Sequence, residues 1–293
     1  MPKVYSWEEV RKGKVATKAR ISKSRKQAEK LIQKLLKRGW IETACIYGST
    51  ARNDFKIGSD IDILVVSKPE KFEVTQRFIS RAYKASKSVL FVEPEIIHID
   101  SIEARKGNHS VDALLFKHML TSGIVFGTPL KKIFRVPSPS ARTSQKILLR
   151  HLANAASKER ARLSEAKASK GEGYYKILEH TIERPLNTAR HTLQLNGLAR
   201  KEDTKKAVAK KFAEITRQNP ELSTFFSQNL QARTAYLQAL ESSLRAVASG
   251  NKAQIRKART VYSNALQQIE SNTRHTRRFY QENLKLISQR RRH

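Results

Sequence analysis

Two aspartates one residue apart, Asp60 and Asp62, stand at the head of the apolar run Ile61–Val66. Side chains alternate faces along a strand, so both carboxylates project one way while Ile61, Ile63 and Val65 point to the opposite, packed face. Like charges so placed repel unless a cation lies between them, and carboxylate oxygens suit Mg²⁺, or Mn²⁺ in its place. Upstream, the apolar run Thr43–Tyr47 ends at Gly48-Ser49 and opens toward a helix start. A small pair at such a junction lets a phosphate reach backbone N–H groups and the Ser49 hydroxyl, with the positive end of the helix behind them. Arg52 adds a further cation. Phosphate at one end and metal at the other describe a nucleotide site.

The elements that must hold these residues are legible in the pattern around them. Thr43–Tyr47 and Ile61–Val66 read as two strands of one sheet, Phe72–Lys87 as a helix, Val89–Ile99 as a strand, Val111–Thr121 as a helix, and Ile124–Phe126 as a last short strand. Upstream, residues 18–38 predict a helix with Leu31, Ile32, Leu35 and Leu36 on one side and Gly39 as its stop. Downstream of the breaker Pro137-Ser138-Pro139-Ser140, spacings of three and four dominate, as in Tyr174, Leu178, Ile182, Leu186, Ala189 and Leu193. The fold class expected is α+β: a small mixed β-sheet domain with helices over 18–137, followed by an all-α helical bundle over 138–293. Residues 1–17, basic and poor in apolar side chains, read as a flexible arm.

Charge divides the chain in the same way. Of 293 residues, 58 are Lys or Arg and 26 Asp or Glu, a net charge of +32. Residues 1–40 hold 13 basic and 3 acidic side chains, residues 41–137 hold 14 and 11, and residues 138–293 hold 31 and 12. A nearly neutral block is flanked by two strongly basic ones, which implies a polyanionic partner. No apolar run reaches the roughly 20 residues of a spanning helix, so a soluble, cytoplasmic protein is expected. Cys45 is the only cysteine, which excludes intrachain disulfides and cysteine-rich zinc sites; in its apolar setting it reads as a buried structural thiol.

Gly48, Ser49, Ala51, Arg52, Ser59, Asp60 and Asp62 together resemble the signature of the DNA polymerase β-like nucleotidyltransferase superfamily. That pattern is Gly-Ser, Ala-Arg-Gly shortly after, then Ser-Asp-x-Asp and an apolar strand. Asn53 stands where Gly is usual, and Asn tolerates the left-handed backbone such a Gly serves. The segment Ser122–Pro129 is similar to the final strand of minimal members, and the resemblance spans about residues 40–135.

The resemblance implies metal-dependent transfer of a nucleoside monophosphate from a nucleoside triphosphate, ATP by default, to a hydroxyl, with release of pyrophosphate. It assigns Asp60 and Asp62 to metal and catalysis, and Gly48, Ser49, Arg52 and Ser59 to the nucleotide. It also implies a third carboxylate on a neighbouring strand, within Phe91–Asp100. Glu95 is favoured, with Glu93 and Asp100 as alternatives.

The helical half resembles the HEPN-type domains often found beside minimal nucleotidyltransferases. Arg184 and His191 have the six-residue separation of the ribonuclease pair in some of those domains, but Pro185 interrupts the pattern and no second active site is placed there. Arg256, Lys257, Arg259, Arg274, Arg277 and Arg278 form basic clusters suited to a nucleic-acid backbone, as does the tail Arg290–Arg292. Tyr262, Phe279 and Tyr280 lie among them and are expected to pack in the bundle. RNA is the favoured acceptor. A protein hydroxyl is the alternative acceptor, and nucleic-acid binding by a degenerate transferase domain is the alternative function. A cationic antibiotic is disfavoured by the charge balance.

Overall fold

The computed structural model describes residues 3–53, 55–85, 94–98, 119, 123–133, 146, 149–150, 172–198 and 204–289. The chain divides into two compact units: Ala16–Ser144, and Met1–Val15 together with Gln145–His293. Chain order begins in the second of these with α1 (Trp7–Arg11), whose N-terminus is closed by a reciprocal pair. The Ser6 hydroxyl accepts from the Glu9 N–H while the Glu9 carboxylate accepts from the Ser6 N–H.

In the unit Ala16–Ser144, α2 (Lys18–Lys37) starts at Thr17, whose hydroxyl accepts from the Arg20 N–H. Its buried residues Ile21, Ala28, Ile32 and Leu35 recur at helical spacing and lay one face on the sheet. It ends where Gly39, at φ +63°, turns the chain so that the Gly39 and Trp40 N–H groups donate to Leu36 and Leu35 carbonyls.

The sheet is four-stranded and mixed, in the order β3-β2-β1-β4. Its central strand β1 (Ile41–Tyr47) leads through the short α3 (Gly48–Ala51) and a loop into β2 (Asp62–Ser67). After α4 (Phe72–Ala85) come β3 (Pro94–His98) and β4 (Ile124–Gly127), then α5 (Leu130–Ile133). β1 is antiparallel to both β2 and β4, whereas β2 and β3 run parallel.

The strands are apolar on both sides because both faces are covered: Ala44, Cys45, Ile46, Leu64 and Val66 are fully buried. Burial pushes the Cys45 thiol up to about 12, which makes it the inert structural thiol expected. The strand predicted over 89–99 is described over Pro94–His98. The helix predicted over 111–121 lies outside the described residues apart from Met119.

The helical unit is built from α6 (Glu172–Leu195), α7 (Lys205–Ile215), α8 (Pro220–Ser249) and α9 (Lys252–Gln289). Leu186, Ala189 and Leu193 of α6 pack with Phe212, Phe225, Phe226 and Phe279 in one core cluster. Tyr262, Phe279 and Tyr280 are 1–2 % exposed and serve the core as expected.

The flexible arm expected over residues 1–17 is corrected. Val4, Tyr5 and Val10 are buried, and the Tyr5 N–H donates to Tyr236 Oη at 3.1 Å. The Tyr262 hydroxyl donates to the Tyr5 carbonyl at 2.7 Å, and Trp7 packs against the Tyr262 ring. Few apolar side chains suffice when each is inserted into a core made elsewhere in the chain.

Candidate functional site: a glycine turn facing two aspartates

β1 and β2 are registered so that Tyr47 pairs with Asp62, which brings the residue after Tyr47 against the first residue of β2. That residue is Gly48, at φ +72°, a conformation L side chains rarely adopt. A Cβ built on Gly48 would fall in the space held by the Asp62 carboxylate oxygen Oδ2. Only glycine lets this turn of backbone lie so close to the carboxylate. Ser49 follows, half-buried, in the first turn of α3.

The loop that delivers Asp60 is braced at several points. The Thr50 hydroxyl donates to the Asp60 carbonyl at 3.1 Å, and Arg25 of α2 donates from Nη1 to the Thr50 carbonyl at 3.2 Å. Asn53 takes φ +59°, the left-handed conformation that its position in the motif demands, and is the only non-glycine residue to do so among the described residues. Ile57 and Ile61 are buried and pin the loop from inside. Ser59 is 5 % exposed and accepts from the Lys56 N–H at 3.0 Å. The sequence pattern puts Ser59 on the nucleotide; in the structure its hydroxyl closes the turn that presents Asp60.

Asp60 and Asp62 remain half-buried at the mouth of this arrangement. Burial, and then the neighbouring Asp60 charge, push the Asp62 carboxyl up to about 6, against an opposing pull from the Arg52 guanidinium. Two neighbouring carboxylates, one of them raised by burial and by the charge of the other, are a donor set that fits a hard divalent cation. Asp60 and Asp62 are the residues that would hold it.

The third carboxylate is fixed only in register. Glu95 lies beside Leu64 in the parallel β2/β3 pair, and Leu64 is two residues, one pleat repeat, along β2 from Asp62. Glu93 and Asp100 lie outside the described residues. Among the described residues no group of three His, Cys, Asp or Glu side chains converges on one point.

In the helical unit, Arg256, Lys257, Arg259, Arg274 and Arg278 of α9 are exposed, and Arg278 pairs with Glu221. Arg277 belongs to the same helix. Arg256 and Arg274 are separated by five whole turns and face the same way. The Arg184 Nε donates to His180 Nδ1 at 3.1 Å within α6.

Sequence reasoning missed one buried charge cluster. Glu183, 1 % exposed, accepts from Arg233 Nε at 2.6 Å and Lys205 Nζ at 2.7 Å. Burial would raise its carboxyl, but the Lys205 and Arg233 charges prevail and hold it below the ordinary value. At the other end of the bridge the Lys205 ammonium is lowered, by desolvation first and with the Arg233 and Arg190 charges adding to it, against the opposing pull of Glu183. Nothing in the spacing around Glu183 marks it as buried.

Residues 25–118 match the family model described as nucleotidyltransferase domain, about a third of the chain. That match ends before the helical unit, so it gives no support to the HEPN-type resemblance. No curated protein matches the chain. Among the described residues no helix is long and apolar enough to cross a membrane.

Proposed function

We infer that the chain, whose residues 25–118 match the nucleotidyltransferase domain and so support the polymerase β-like superfamily, transfers a nucleoside monophosphate from a nucleoside triphosphate to a hydroxyl of RNA. The observation that carries the reading is the contact between the Gly48 turn and Asp62, with Asp60 beside it. It joins a surface able to receive phosphates to a pair of carboxylates able to hold their counter-ion.

In the transfer, an acceptor hydroxyl oxygen forms a bond to the α-phosphorus and gives up its proton to a carboxylate on the acceptor side or to water, the bond to the bridging α–β oxygen breaks, and pyrophosphate leaves with that electron pair. The Gly48 turn lies close enough to the metal-side carboxylate to receive the outgoing phosphates, with the Ser49 hydroxyl as a further donor and Arg52 as a cation. Asp60 and Asp62 would hold Mg²⁺, or Mn²⁺, and the bound ion supplies charge neutralisation on the triphosphate and a lowered pKa for the attacking hydroxyl. Glu95 is the favoured carboxylate for the acceptor side. ATP is the default donor.

RNA is favoured as acceptor because the catalytic block is nearly neutral while the flanking blocks carry almost all of the net charge of +32. The exposed cations of α9, Arg256, Lys257, Arg259 and Arg274 among them, are proposed as contacts to its backbone.

The test is incubation of purified protein with labelled nucleoside triphosphates, Mg²⁺ and total RNA. The expected result is labelled RNA with stoichiometric pyrophosphate, abolished in Asp60→Ala and Asp62→Ala. Labelled protein in place of RNA would overturn the RNA acceptor. RNA binding without pyrophosphate, unchanged in both variants, would overturn transfer and leave a nucleic-acid-binding protein.

A further inference from the structure

Among the described residues of the unit Ala16–Ser144, the outward face of α2 gathers a row of like charges. This helix carries eight basic residues and one acidic one. The acid, Glu29, is turned aside into a pair with Arg25 at 2.9 Å. At about 3.6 residues per turn, Lys23, Lys26, Lys30 and Lys37 fall within about 60° of one another, opposite the buried stripe of Ile21, Ala28, Ile32 and Leu35. All four lysines are exposed, and none has a carboxylate partner among the described residues. Lys34, also exposed, extends the row, its ammonium 5.5 Å from the Phe78 ring centroid.

Four exposed ammonium groups in one row, without carboxylate partners among the described residues, make a local positive potential that a polyanion lying along them would neutralise. The row runs about 21 Å from Lys23 to Lys37, at about 1.5 Å per residue. Its position ties it to the site. Arg25 sits on the flank of α2, between the buried stripe and the lysines, and donates to the Thr50 carbonyl in the turn that carries Gly48 and Ser49. The Lys23-Lys26 end of the row therefore lies about one helix diameter, roughly 10–12 Å, from the turn, and the row leads away from it toward Lys37.

We propose that the Lys23-Lys26-Lys30-Lys37 face of α2 is a binding track for the sugar-phosphate backbone of a single nucleic-acid strand. The track makes α2 the element that holds the acceptor strand beside the transferase site, and to that extent it rests on the function proposed above. Evenly repeated point charges without pockets between them read a repeating phosphate backbone rather than a sequence. An acidic membrane surface suits the face less well. Interfacial helices seat an apolar flank in the lipid, whereas α2 buries its apolar face on the sheet and exposes no large hydrophobic side chain.

The test replaces all four lysines by Gln in the full chain, a change that keeps helix propensity nearly constant. Binding of a labelled 20-nucleotide single-stranded RNA is measured across a salt series, beside Mg²⁺-ATP binding and thermal unfolding. With four phosphate contacts removed, the slope of log K against log salt becomes shallower by about 3, at about 0.7 per contact. Mg²⁺-ATP binding is unchanged, and a quadruple Lys→Arg variant keeps the original slope. An unchanged slope in the folded Gln variant would overturn the track, as would retention on phosphatidylserine vesicles that the RNA fails to displace. A shallower slope in a protein that releases no pyrophosphate would uphold the track while removing the transferase reading.

Discussion

The α-carbon of Gly48 and the carboxylate of Asp62 are in such close contact that a methyl group on the glycine would displace the carboxylate oxygen Oδ2. Their proximity follows from strand register, since Tyr47 and Asp62 are paired across β1 and β2. Gly48→Ala is therefore expected to act twice. The left-handed backbone at φ +72° costs a non-glycine residue about 1–2 kcal/mol, read as a lower denaturation midpoint. The displaced Asp62 weakens Mg²⁺-nucleotide binding at least tenfold by calorimetry. A variant with unaltered nucleotide affinity would show that the contact is not part of the site.

The raised Asp62 carboxyl makes a pH prediction with a definite sign. Its folded value of about 6 lies above the ordinary carboxylate value, so the native state binds more protons than the unfolded chain between the two. The contribution of Asp62 to ligand-free stability is then fully present below the ordinary value and is lost as pH rises through about 6. Asp62→Asn removes that loss and is expected to stabilise the ligand-free protein by roughly 1–3 kcal/mol at pH 8, measured by urea unfolding, while abolishing Mg²⁺ binding. In the wild type, Mg²⁺ affinity is expected to fall below pH 6, because the proton competes for the same oxygens. A Mg²⁺ affinity flat from pH 8 to pH 5 would exclude Asp62 as a ligand.

Glu183 has the opposite character. With its folded carboxyl held below the ordinary value, its stabilising contribution is present above that value and is lost as pH falls through the folded one. Glu183→Gln leaves the largely buried Arg233 and the part-exposed Lys205 without their counter-charge, and is expected to cost about 3 kcal/mol in urea unfolding at pH 7. The difference between variant and wild type shrinks in acid. A cost below about 1 kcal/mol at pH 7 would mean that water reaches the cluster.

The parts of this molecule that were legible in its sequence are those whose determinants lie close together in the chain. Gly48-Ser49 and Asp60-x-Asp62 span fifteen residues, and the strands that carry them alternate or run apolar in ways that fix their type. The stop at Gly39 and the left-handed Asn53 were readable for the same reason, since local backbone sterics decide both. Burial created by distant partners was not readable. Tyr5 is held by Tyr236 and Tyr262, 231 and 257 residues away, and in isolation its surroundings look like a solvated basic arm. Glu183 sits in a helix with ordinary polar neighbours, and only the arrival of Arg233 from α8 and Lys205 from α7 gives it a buried role. Ser59 matched its motif position, yet the use of its hydroxyl within its own loop appears only in three dimensions.

The anchoring of Tyr5 has a consequence for biosynthesis. Residues 1–15 are synthesised before the unit Ala16–Ser144, yet they belong to a unit whose remaining parts, α6 to α9, come after it in the chain. The unit Ala16–Ser144 that lies between them in the chain has its own four-stranded sheet. Tyr5 cannot take its place until Tyr236 and Tyr262, more than two hundred residues further along the chain, have been made. Lys3, Arg11, Lys12 and Lys14, the basic residues around Tyr5, keep its segment soluble in the meantime. The contacts that hold Tyr5 thus close around the whole intervening unit Ala16–Ser144 in the chain, and they can form only after it has been made.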